Sequence, residues 1–97
     1  MKVLSCSLKA TEDVGAIWDY SADRWGPDQA ERYTAAIRDV CRALANGQKR
    51  GRPSTVRPGY MKCTSGSHII WLRDTGDALE VVRVLHSAQD TERNLHD

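Results

Sequence analysis

No apolar run in this chain of 97 residues approaches the roughly 20 residues that a bilayer-spanning helix needs, so nothing in it reads as a membrane span. The opening Met1-Lys2-Val3-Leu4-Ser5-Cys6-Ser7-Leu8 is too short and too polar for a secretion signal. Cysteine is scarce. Cys6, Cys41 and Cys63 form no close pair, and an odd count without spacing points to reduced thiols in a cytoplasmic protein. Each reads as a small buried hydrophobe. His68, His86 and His96 make no zinc pattern with those cysteines, so no metal and no cofactor is expected. A glycine-rich phosphate loop is missing, and so is the strand-turn-helix motif of a serine nucleophile. Repeats and low-complexity segments are absent too. The length makes residues 1–97 one domain, with a core just large enough to fold alone.

Acid is missing from one stretch in particular. From Lys49 to Arg73 there is no Asp or Glu, yet Lys49, Arg50, Arg52, Arg57, Lys62 and Arg73 all fall there. The rest of the chain is acidic, so the formal net charge of +1 hides an internal dipole. Helical periodicity stops where the basic stretch starts. A positive sheet against a negative helical layer follows, and such a face attracts a polyanion or an acidic partner.

The pattern along the chain gives the elements. Lys2 to Leu8 alternates as a strand. Thr11 suits a helix N-cap, with Glu12 and Asp13 at the positive helix end. Val14, Ile17, Trp18, Ser21 and Trp25 follow a helical stripe. Gly26-Pro27 ends it, and Pro27 with Asp28 begins a second helix. Ala30, Tyr33, Ile37, Val40, Cys41 and Leu44 line one side of that helix until Asn46-Gly47 stops it. A short link makes the two an antiparallel hairpin. Gly51-Arg52-Pro53-Ser54 reads as a loop. Val56 to Cys63 reads as a strand interrupted by Pro58-Gly59, His68 to Arg73 as a strand buried on both faces, and Leu79 to His86 as a third. The short turns Thr64–Ser67 and Asp74–Asp77 force a meander. The polar tail from Ser87 allows a short helix over Asp90 to Leu95. The fold class is α+β: an N-terminal strand, then an antiparallel helical hairpin packed on a mainly antiparallel sheet that ends in a three-strand meander.

Arg57, Tyr60, Lys62, Arg73, Arg83 and His86 fall on or beside that meander. Arginine and lysine stabilise phosphate charge, and histidine or tyrosine moves protons, so this set could cleave RNA without a metal. It could equally be a solvated basic face that binds and catalyses nothing. A module that binds DNA or RNA without chemistry is a third reading. No recognition-helix motif supports it, and the net charge is close to neutral. Trp18 and Trp25 read as core or as the wall of a partner groove, Trp71 as core, and His86 as a link between the last strand and the tail.

Several runs together resemble a known family. They are Ile17-Trp18-Asp19-Tyr20, Arg24-Trp25-Gly26 with Gln29-Ala30-Glu31-Arg32-Tyr33, Gly51-Arg52-Pro53, Arg57-Pro58-Gly59-Tyr60, Ser67 to Arg73, and Val82 to Asp90. In this order and spacing the chain resembles the ParE-type toxins of the RelE/ParE superfamily, the toxin halves of bacterial type II toxin–antitoxin pairs. The Trp-Gly-x-x-Gln-Ala-x-x-Tyr run and the Val-Leu-His-x-x-x-Asp ending carry most of the likeness. The resemblance implies a non-enzymatic inhibitor of DNA gyrase, held in a hetero-oligomer by a cognate ParD-like antitoxin with an acidic C-terminal segment. The related RelE branch cuts messenger RNA on the ribosome, and in that case Arg83 would stabilise the phosphorane and His86 would be acid or base. Gln89 departs from the ParE branch, which often carries an apolar residue there. The resemblance implies an antitoxin groove at Trp18, Trp25, Tyr33 and Ile37. It implies target binding at Arg57, Tyr60, Lys62, Arg73, Arg83 and His86.

Overall fold

The structure is a computed structural model that describes residues 2–54 and 57–89. Strand β1 (Val3–Cys6) leads into helices α1 (Leu8–Trp25) and α2 (Pro27–Ala45). Strands β2 (Arg52–Pro53), β3 (Tyr60–Ser65), β4 (His68–Asp74) and β5 (Ala78–His86) follow, and a single 3-10 turn covers Ser87–Gln89. The five strands lie in the order β1-β5-β4-β3-β2. All neighbours are antiparallel except β1 and β5, which run parallel. The helical hairpin covers one face. This is the α+β architecture that the hydrophobic periodicity implies. The possible helix over Asp90 to Leu95 lies outside the described residues.

The hairpin corner follows the expected chemistry. Gly26 closes α1 through its N–H to the Ala22 carbonyl (2.9 Å) and starts α2 through its own carbonyl, which accepts from Ala30 N–H (3.1 Å). It does so at φ +93°, where a side chain would be strained. Pro27 then supplies a preset first helical φ. The start of α1 differs from the sequence expectation. The N-cap is Ser7, not Thr11: Ser7 Oγ accepts from Ala10 N–H at 3.0 Å. Ser7 wins because its hydroxyl also donates to the Val82 carbonyl at 2.7 Å, a tertiary bond that sequence spacing does not reveal. Strand β1 is shortened accordingly. Glu12 and Asp13 therefore sit beyond the first turn, and Asp13 is left for another use.

The core lies between hairpin and sheet. Ile37, Ile70, Leu72 and Val81 are essentially inaccessible, with Ala10, Cys41, Leu44, Cys63, Leu79 and Val84 beside them. Each such large side chain contributes about 1.5–3 kcal/mol through burial. Two strand boundaries moved. Arg52–Pro53, read as loop, pairs with Lys62 and Met61 as a two-residue edge strand, a position where proline's missing N–H costs no ladder bond. Strand β3 begins only at Tyr60, after a turn in which Tyr60 N–H donates to the Arg57 carbonyl (3.2 Å). In β5, Trp71 pairs with Arg83 but Leu72 pairs with Val81. Val82 is thus the extra residue of a bulge, and the in–out alternation breaks there.

Candidate functional site

The expected basic set does not form one surface. Tyr60 and Lys62 alternate on β3 with Trp71 and Arg73 opposite them on β4, all on the face away from the helices. There Lys62 Nζ stands 4.9 Å from the Trp71 ring centroid. Arg57 and Arg73 lie 5.4 and 6.0 Å from that of Tyr60. Arg73 also pairs with Glu80 at 2.6 Å. Tyr60 and Trp71 are buried, so Tyr60 offers no stacking surface to a target. The long cationic side chains form the layer above. Arg83 and His86, placed by sequence in the same group, go elsewhere, because the bulge at Val82 and the end of β5 turn them toward α1.

They line a cleft of about 610 Å³ between α1, the start of α2 and the paired ends of β4 and β5. Ile17, Val84 and Leu85 give it apolar walls. Tyr20 and Trp25 stand at its rim, 58% and 60% exposed, in an edge-to-face pair at 6.2 Å. Arg24 lies against both rings. Inside, Asp13 grips Arg83 with both carboxylate oxygens, at 2.8 and 2.9 Å. Asp13 also accepts from Val84 N–H at 3.0 Å. The hydrogen bond from Arg83 to Asp13 pushes the guanidinium pKa further up. Arg83 stays charged, but its charge is matched.

Beyond that pair lies a polar chain from α2 to β5. Ser67 N–H donates to Tyr33 Oη (2.9 Å), and Tyr33 Oη lies 2.6 Å from His68 Nδ1. The His68 and His86 rings meet edge to face at 5.3 Å, as a directly opposed cross-strand pair. Ala88 N–H donates to His86 Nδ1 at 3.1 Å. Burial, and then the neighbouring His86, hold the His68 pKa below 6.5, so at neutral pH His68 is uncharged. Gly66 lets Tyr33 reach this turn: at φ +58°, a Cβ there would fall 2.8 Å from the phenol ring.

Of the four residues expected to wall a partner groove, Trp25 and Tyr33 do line this cleft. Trp18 is half-buried and donates from Nε1 to Glu31 (3.2 Å) across the hairpin. Ile37 is 1% exposed and belongs to the core, so a partner does not reach it. The periodicity that flagged Ile37 marks the core side of α2, and sequence alone does not separate the two. Tyr20, His68 and Asp13 were missed as site residues. Tyr20 had one available signal, its place beside Trp18 and Trp25 on the same helix.

The family of this fold is settled by comparison with known proteins. The sequence model described as "ParE toxin of type II toxin-antitoxin system, parDE" matches residues 4–91. The chain belongs to the ParE toxin family. It is 46% identical over 81 residues to Toxin ParE1 of Mycobacterium tuberculosis, covering 81% of this chain and 83% of that one. To Toxin ParE1 of Caulobacter vibrioides it is 35% identical over 96 residues, covering 98% and 99%. A solved chain from the chromosomal ParDE toxin–antitoxin system of P. aeruginosa superposes with a TM-score of 0.78 at 28% identity, over 89% of this chain and 96% of that one. As a ParE-family chain it is a toxin of the type II toxin–antitoxin class. Within this ParE fold the Cys41 thiol is pushed up to about 12, chiefly by burial and then by Cys6 and Cys63, so it is no thiolate nucleophile. Among the described residues no group of three or more His, Cys, Asp or Glu could hold a metal ion, and no helix is long and apolar enough to cross a membrane.

Proposed function

We propose that this ParE-family toxin acts as a binding inhibitor of DNA gyrase, and that a cognate ParD-like antitoxin neutralises it in a hetero-oligomer. The observation that carries the non-enzymatic reading is the two-oxygen grip of Asp13 on Arg83. A ribonuclease needs a cation free to meet a developing phosphorane beside its acid and base. The cation beside His86 already has a carboxylate. The solved relative comes from a ParDE toxin–antitoxin system, which supports the antitoxin as partner. The exposed Tyr20 and Trp25 at the mouth of an apolar cleft suit an aliphatic or aromatic anchor on that antitoxin, since few residues of an interface carry most of its energy.

One observation favours the second reading, a metal-independent endoribonuclease: two imidazoles stand side by side in the same cleft. The two are separated by purified-protein supercoiling by gyrase and by translation in a cell extract, each run with wild type and His86→Gln. Loss of supercoiling with intact translation is expected. Cleavage of messenger RNA that falls by several orders of magnitude in His86→Gln would establish the nuclease instead. The groove is checked separately: Trp25→Ala is expected to weaken antitoxin binding by at least about tenfold. Unchanged affinity with an intact fold removes Trp25 from the interface.

A further inference from the structure

One of the two cleft histidines, His86, is held in a defined tautomer. The Ala88 backbone N–H donates to His86 Nδ1, and an amide N–H has no other role, so that nitrogen is bare and the ring proton sits on Nε2. The same logic reaches His68 through Tyr33. Ser67 N–H donates to Tyr33 Oη, and in the tautomer where the Tyr33 hydroxyl donates on to His68 Nδ1 the His68 ring proton sits on Nε2. Both rings line the cleft, and among the described residues no hydrogen bond reaches either Nε2. Two ring N–H donors thus belong to neighbouring rings, 5.3 Å between centroids, with no acceptor among the described residues.

The charges around them leave room for an anion. From α1 comes Asp13, the one carboxylate among the described lining residues, and it is matched by Arg83 from β5. Tyr20 from α1 and Tyr33 from α2 are the other titratable groups facing the pair, and Arg24 adds a positive rim beside Tyr20 and Trp25. The polar floor and the exposed aromatic rim together describe a segment that carries an acid beside an apolar side chain.

We propose that the Nε2–H groups of His68 and His86 receive an Asp or Glu side chain of the antitoxin, while the neighbouring apolar side chain of that segment packs on Tyr20 and Trp25. This rests on the antitoxin reading above and moves the main acid contact from the basic back of the sheet to the cleft. It also makes binding pH-dependent. In the free chain burial and His86 keep the His68 pKa below 6.5. A carboxylate against the ring favours the protonated form and raises it. The complex thus takes up protons, so affinity is highest below the free pKa and declines as pH rises toward the pKa in the complex.

The test uses the full-length chain and the antitoxin encoded beside it, with affinity measured at about pH 5 and about pH 8. Wild type is expected to bind about tenfold more weakly at the higher pH, the ratio for about one unit of coupled shift. His86→Phe and His68→Phe, which remove one N–H each, are expected to lose about tenfold or more. His68→Gln keeps a donor but does not titrate. It should bind nearly as well as wild type at the higher pH and show a smaller gain at the lower one. Thermal melts confirm that each variant folds. Equal binding by wild type and all three variants at both pH values overturns the proposal. So does a site filled by free anion: inorganic phosphate shifting the histidine ring resonances while bound antitoxin leaves them unchanged. If wild type binds no antitoxin at all, the antitoxin reading itself falls, a failure recognisably different from equal binding by every variant.

Discussion

On the helix side of the sheet, Ile70, Leu72, Val81 and Val84 lie beneath α1 and α2. On the opposite side Tyr60, Trp71, Val82 and Leu85 form a second, smaller cluster, with Lys62 and Arg73 laid across its aromatic rings. One face is closed by a second layer of secondary structure, the other in part by the stems of its own cations. Burial under packed helices is worth several kcal/mol per large side chain, whereas a cation over a ring contributes only about 0.5–1 kcal/mol at exposed sites. The difference explains how one sheet can be both a folding core and a charged surface. The cations themselves contribute little stability; the buried rings and aliphatic groups beneath them contribute more.

Four substitutions sharpen or break this contrast. Leu72→Ala, at 0% exposure under the helices, is expected to cost about 3 kcal/mol in urea unfolding. Asp13→Ala comes next, at about 2–3 kcal/mol, because it removes a carboxylate that accepts from both Arg83 and Val84 N–H in a mostly buried site. Tyr33→Phe removes one hydroxyl that serves both Ser67 and His68 and should cost about 1 kcal/mol, seen as earlier amide exchange in the β3–β4 turn. Lys62→Gln is the smallest, about 0.5 kcal/mol, and its effect should shrink further in high salt. A Lys62 loss as large as that of Leu72 would erase the distinction between the faces. Acid gives a fifth and gentler probe. His68 has a lowered pKa when folded, so the unfolded chain binds its proton first. Its contribution is fully present above about pH 6.5 and is lost as pH falls below it, which a melting series on the free chain would register as a falling midpoint.

The helical hairpin was legible because its punctuation is local: Gly26-Pro27 and Asn46-Gly47 act within a turn of where they stand. The meander was legible for the same reason, through short turns. What escaped depends on partners far apart in the chain. Ser7 outcompetes Thr11 as N-cap through Val82, 75 positions away. Asp13 finds Arg83 at a separation of 70, so a residue read as a helix-end charge became half of an internal ion pair. His68 and His86 face each other only because of the β4–β5 register. A period of two also predicts faces only until a bulge resets it. At Val82 that reset separated Arg83 from the cations it was grouped with.

Gly66 and Gly76 both sit in tight turns between strands of the meander, yet they are not equivalent. A methyl group built at Gly76 meets nothing within 4 Å, whereas one at Gly66 meets the Tyr33 phenol at 2.8 Å. A substitution in the second turn is therefore felt only by its own backbone. In the first it levers an aromatic ring off a helix and, through the hydroxyl, releases an imidazole at the cleft. A peptide tag or a dye-bearing residue placed at the Gly76 turn reports on the toxin, and the same insertion at Gly66 alters what it was meant to observe.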